Sequence, residues 1–99
     1  MNYILEVGDF KKDILSIEDM CNGVHYVFKF DNGYGGSVIK HDYSYGHDMD
    51  RWELAVINFW MIDEPNHYDL EYDTPITNDV IGYLTDEEVR NYLQKIKEL

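Results

Sequence analysis

Asn22-Gly23-Val24-His25-Tyr26-Val27-Phe28-Lys29-Phe30 is the stretch on which the fold turns. Val24, Tyr26, Phe28 and Phe30 alternate with His25, Val27 and Lys29, the period of two that puts one apolar face on a β-strand. Asn-Gly directly before it is the strongest short-range signal for a two-residue hairpin turn. The preceding residues 14–21 are therefore expected to pair antiparallel with this strand. Downstream, Asp31-Asn32-Gly33-Tyr34-Gly35 reads as a second turn and leads into a strand over about 36–41.

Further along, residues 41–50 form a polar loop, and 52–60 are apolar on both faces, as a central strand covered by a helix should be. Asp63-Glu64-Pro65-Asn66 breaks that run. Tyr68-Asp69-Leu70-Glu71-Tyr72-Asp73 then alternates without exception, which predicts a strand with its three acids on one side. Residues 74–79 make a turn-rich link containing Pro75, and 80–84 a short apolar segment. The first ten residues suit strand or helix equally.

The last element is a helix over 85–98. Thr85-Asp86-Glu87-Glu88 is a capping box, in which the Thr hydroxyl accepts from the Glu88 amide and the Glu88 carboxylate accepts from the Thr85 amide. Val89, Leu93 and Ile96, joined by Tyr92 and Leu99, form one apolar stripe, and acids open the helix while Lys95 and Lys97 close it. The expected architecture is α+β: a single domain over 1–99, an antiparallel meander of four or five strands with the C-terminal helix on one face. Helix 85–98 is expected to set Val89, Leu93 and Ile96 against Phe28, Leu54 and Val56.

The 99 residues carry a net charge of −12. All of it falls within residues 42–89, where thirteen acids face Arg51 alone; the remainder is balanced. Such a block repels nucleic acid and anionic membranes and attracts basic surfaces. With 44 % apolar residues the chain can build a core. Cys21, the one cysteine, fits a reducing compartment. Residues 1–10 do not read as a signal peptide, and no apolar run approaches the roughly 20 residues that span a bilayer.

Motifs for chemistry fall short. His41-Asp42 and His47-Asp48 lack the short paired spacing of zinc ligands, and His25 and His67 lie elsewhere. Residues 48–53 resemble a calcium loop but put Arg51 among the ligands. Gly33-Tyr34-Gly35-Gly36-Ser37 precedes a strand, whereas a phosphate cradle precedes a helix, so its glycines are expected at a turn and a bulge. Ser16, Ser37 and Ser44 sit in no nucleophile elbow, and Cys21 has no activating partner in its neighbourhood. The sequence therefore predicts neither enzyme activity, cofactor nor metal. The candidate partner-binding residues are the acids Asp63, Glu64, Asp69, Glu71, Asp73, Asp86 and Glu87. Carboxylates about 6.6 Å apart on one face of 68–73 could stand in for a phosphate backbone. Alternatively they keep an edge strand solvated and block aggregation.

The segments Asn32-Gly33-Tyr34-Gly35-Gly36-Ser37-Val38-Ile39, Ser44-Tyr45-Gly46, Trp52-Glu53-Leu54-Ala55-Val56 and 72–84 together resemble a family of small acidic proteins encoded by phages and prophages of low-GC Gram-positive bacteria. The resemblance spans roughly 13–99, with 60–68 as an insertion. What it implies is a setting, the host cytoplasm, and a role among phage inhibitors of host defence. Anti-CRISPR proteins are among these, and several such inhibitors mimic nucleic acid. The expected partner is a basic nucleic-acid-binding protein or ribonucleoprotein. A phage accessory protein whose acids serve solubility alone is the alternative.

Overall fold

The computed structural model describes residues 3–61, 64 and 66–99. Among these described residues, six strands form one antiparallel sheet: β1 (Ile14–Met20), β2 (Gly23–Lys29), β3 (Tyr34–Lys40), β4 (Trp52–Asn58), β5 (Asp69–Leu70) and β6 (Ile81–Leu84), followed by α1 (Asp86–Lys97). β1 to β4 are neighbours in chain order, and β5 and β6 both pair with the free edge of β4. The expected meander with a C-terminal helix is thus present, with β6 as an additional strand. A 3₁₀ helix, Gly8–Asp13, resolves part of the ambiguous N-terminus.

The first hairpin turns one residue earlier than Asn-Gly suggests. Met20 pairs with Gly23, so the turn residues are Cys21 and Asn22, with φ of 47° and 63°. Gly23 is needed for space instead. A Cβ there would lie 1.9 Å from the Lys40 carbonyl oxygen, where β2 crosses the end of β3. The next turn follows expectation, with Gly33 at φ 89° and its amide donating to the Phe30 carbonyl. Gly35 and Gly36 form no bulge; they lie within β3, and a Cβ on Gly36 would come 2.8 Å from Leu93 Cδ2. The helix rests on that gap.

α1 begins at the Thr85 capping box, with both reciprocal hydrogen bonds formed. It presents Val89, Leu93 and Ile96, all fully buried, to a core of Val24, Tyr26 and Phe28 from β2, Val38 from β3, and Trp52, Leu54 and Val56 from β4. Leu5 and Phe10 from the N-terminal segment close that core. Residues of opposite parity face the other way, where Val27, Ile57 and Phe59 form a smaller cluster covered by Leu15 and Tyr68. The alternation in 24–30 thus sorts side chains as expected, with Val27 buried on the second face.

The edge of β4 is one interrupted strand. β5 pairs with Ile57 and Asn58, the Glu71 amide donates to Val56, and β6 resumes at Leu54 and Trp52. Ten residues on the outer chain therefore match two on β4, and 72–80 loop outward. The strand expected over 68–73 is correspondingly cut to Asp69–Leu70. Glu71 ends it: one carboxylate oxygen accepts from Asn58 Nδ2 at 3.2 Å and the other from the Asp73 amide at 3.0 Å. A turn built on the Thr74 hydroxyl follows. Leu70 and Tyr72, which the alternation sets on the side opposite the acids, are 53 % and 41 % exposed.

Leu93→Ala removes a fully buried side chain seated over Gly36. It should cost about 2–5 kcal/mol of stability, measured by urea unfolding; an unchanged midpoint would contradict this packing.

Candidate functional site

Asp86, one of the candidate acids, belongs to the frame. Its Oδ1 accepts from Trp52 Nε1 at 2.8 Å and its Oδ2 from the Glu6 amide at 2.9 Å. Arg90 Nη1 donates to the Glu6 carbonyl, and the Leu5 amide to the Tyr26 hydroxyl. One carboxylate in the first turn of α1 thus ties the helix to β4 and to the N-terminal segment. The fully buried Trp52 ring also carries Lys40, whose Nζ lies 4.3 Å from the ring centroid and 5.0 Å from that of Tyr3. This buried ammonium donates to Asp50 Oδ1 at 2.8 Å, which holds the exposed Asp50 carboxyl below its ordinary value of 3.8. A lysine two residues after Val38 falls on the inward-facing register of β3, which is the sequence signal for this buried cation.

The remaining candidates divide along the outer edge of β4. Asp63 lies outside the described residues. Glu64, Asp69, Asp73 and Glu87 are exposed, whereas Glu71 is half-buried on Asn58. Glu64 and Asp69 flank His67, at 3.6 Å from Nδ1 and 3.7 Å from Nε2. Asp69 stands opposite Asn58, and Asp86 and Glu87 follow Leu84, which stands opposite Trp52. The two ends are therefore separated by the length of β4, about 20 Å at 3.3 Å per residue. The outward loop between them adds Asp73 and Asp79, both exposed.

Residues 41–50 fold tightly on their own hydrogen bonds. Ser44 Oγ accepts from the His41 amide and donates to the His41 carbonyl; His41 Nδ1 accepts from the Tyr43 amide; His47 Nδ1 lies 2.7 Å from the Ser44 carbonyl. The Tyr45 amide donates to Glu53 and the Arg51 amide to Gly46. The loop docks on β6, where the Tyr83 amide donates to the Tyr45 carbonyl. Four large side chains protrude here: Tyr43 at 81 %, Tyr45 at 62 %, Met49 at 61 % and Tyr83 at 54 % exposed. Tyr83 has φ of 61°, a left-handed conformation uncommon for a bulky residue. The sequence shows a Tyr- and His-rich loop over 42–50 as a contact surface alternative to the acids; Tyr83 joins it only through the pairing of β6.

On the second face, Leu15, Ser16, Glu18, His25, Val27, Asn66 and Tyr68 line an open cleft of about 360 Å³. His25 Nε2 lies 2.7 Å from Ser37 Oγ, and Glu18 pairs with His25 across β1 and β2. Burial pushes the His25 imidazole below its ordinary 6.5, against the nearby Glu18 carboxylate, and His41 adds to the lowering. Ser37 occupies a regular stretch of β3, unlike the sharp elbow that exposes a nucleophilic serine. Its contact with His25 serves a half-buried ring.

Among the described residues, no three His, Cys, Asp or Glu side chains come together as a metal site. Among them, too, no helix is long and apolar enough to cross a membrane. No protein-family model, curated protein or solved structure matches the chain.

Two outcomes follow. Asp86→Ala strands the buried Trp52 N–H, so it should cost about 1–3 kcal/mol, with Asp86→Asn costing less because it keeps one acceptor; equal stability of all three proteins would remove Asp86 from the frame. The second concerns pH. His25, Asp50 and Glu88 all have folded-state values below their ordinary 6.5, 3.8 and 4.5, Glu88 through its hydrogen bonds from the Thr85 amide and hydroxyl. The unfolded chain then binds more protons, so these groups contribute stability above their unfolded values that is lost as pH falls through the folded ones. His25→Asn should flatten the melting-temperature curve from about pH 7 to 5, leaving the decline at carboxylate pH. An unaltered slope in that range would show that His25 does not carry it.

Proposed function

We propose that this protein is a non-enzymatic binding protein whose acidic edge occupies the phosphate-binding surface of a basic, nucleic-acid-binding partner. The observation that carries this reading is the run of exposed carboxylates along the outer edge of β4: Glu64, Asp69, Asp73, Asp79 and Glu87. An edge of about 20 Å matches some six phosphates of one DNA strand at 3.4 Å each. The edge is sparser than a phosphate backbone, because Glu71 and Asp86 direct their carboxylates inward. Phage protein resemblance selects the partner class: a host defence complex, of the type that anti-CRISPR proteins inhibit, met in the host cytoplasm. The inward-turned Glu71 and Asp86 favour a second reading, a phage accessory protein whose remaining acids keep the sheet edge soluble.

Charge reversal separates the two. D69K/D73K/E87K should abolish capture of a nucleic-acid-binding protein from lysate of a low-GC Gram-positive host, with the melting temperature preserved because all three side chains are exposed. Single changes should have small effects, since exposed ion pairs contribute about 0–1 kcal/mol apiece. Wild-type capture by the triple variant at every salt concentration would leave the acids as a solubility device.

A further inference from the structure

We propose a second contact surface, formed by Tyr43, Tyr45, Met49 and Tyr83, that receives arginine side chains of a basic protein partner. It takes the basic partner proposed above as its premise, adjoins the β6 end of the acidic edge, and uses different chemistry.

Three observations carry it. First, four large side chains, each more than half exposed, belong to the 41–50 loop and to β6, whose backbones meet: a Cβ on Gly82 would lie 2.6 Å from Tyr45 Cβ, and one on Gly46 would lie 2.9 Å from the Tyr83 backbone. Second, the loop beneath them is braced by the Ser44, His41, His47 and Glu53 hydrogen bonds. Tyrosines held on a braced loop give contact area with little ordering entropy to lose on binding. Third, Tyr83 keeps a bulky exposed ring at φ 61°, where Asn or Gly would sit with less strain. Strain held where its side chain meets solvent points to a role for that side chain.

The charge of the loop chooses the occupant. Asp48 is exposed in the same loop, as are Asp42, which accepts from Asn22 Nδ2 at 2.7 Å, and Asp50, partly neutralised by Lys40. Tyrosine faces attract cations, and a guanidinium can stack on them while its N–H groups meet carboxylates. The molecule already makes such a site internally, with Lys40 held between Asp50 and the rings of Trp52 and Tyr3. A nucleic acid is repelled by the acids, and a second copy brings another charge of −12.

The test uses two fluorescein-labelled dodecapeptides, alternating Arg-Gly and Lys-Gly, titrated against the full chain by polarisation and by amide chemical-shift mapping. The arginine peptide should bind about two- to fivefold more tightly, shifting the amides of Tyr43, Tyr45, Met49 and Tyr83. Y43S/Y45S/Y83N should erase that preference, lowering arginine-peptide affinity more than lysine-peptide affinity. Y83N alone should raise the melting temperature and weaken arginine-peptide binding, which keeps loss of binding distinct from loss of fold. The edge variant D69K/D73K/E87K should lower both affinities together and retain the arginine preference, so failure of the edge and failure of this surface read differently. Equal affinity for the two peptides would overturn the proposal. So would single-stranded DNA shifting the same four amides, or a concentration-dependent dimer in sedimentation that disappears in Y43S/Y45S/Y83N.

Discussion

The hydrogen bond from Trp52 to Asp86 is the joint on which the other parts depend. A fully buried indole must place its N–H, and in this fold the acceptor is a carboxylate in the first turn of the helix. The same carboxylate accepts from the Glu6 amide, which ties the N-terminal segment to α1. The ring in turn packs edge-on against Tyr26 and receives the Lys40 ammonium, which reaches Asp50 at the end of the 41–50 loop. Helix, sheet, N-terminus and loop thus share one chain of contacts. Hydrogen bonds made by a charged acceptor are about twice as strong as neutral ones, which suits a position where four segments meet.

That joint also sorts the acids. Net charge draws attention to a uniform acidic block, yet its members do different work. Asp86 and Glu71 satisfy donors inside the structure, Asp50 neutralises a buried cation, and Glu88 completes a cap. What remains exposed is a line of carboxylates at the sheet edge, and tyrosines at the end where the loop meets β6. In the proposed complex, long-range attraction would belong to the first and contact area to the second, as charged rims steer association and aromatic anchors hold it.

Much of the fold was legible because local signals agreed with one another. Period two in 24–30, the capping box at Thr85 and the stripe of Val89, Leu93 and Ile96 each specify one face of one element, and all three faces meet. The alternation of 68–73 misled because its polar partner is nonlocal: Asn58, on β4, draws Glu71 inward and ends the strand after Leu70. The Asn-Gly turn shifted because Gly23 answers to Lys40, seventeen residues later in the chain. The candidate site was legible by charge alone. Which acids are free depends on donors in β4 and in the N-terminal segment, and the tyrosine cluster depends on β6 returning to Trp52 and Leu54. No window of local sequence contains that information.

The most direct measurement is a competition titration of the proposed complex with a basic nucleic-acid-binding protein, using that protein's own nucleic acid as competitor across a range of salt concentrations. The account predicts mutually exclusive binding, with log affinity for this protein falling linearly against log salt as a polyelectrolyte contact requires. A stable ternary complex whose affinity for this protein does not change with salt would contradict it.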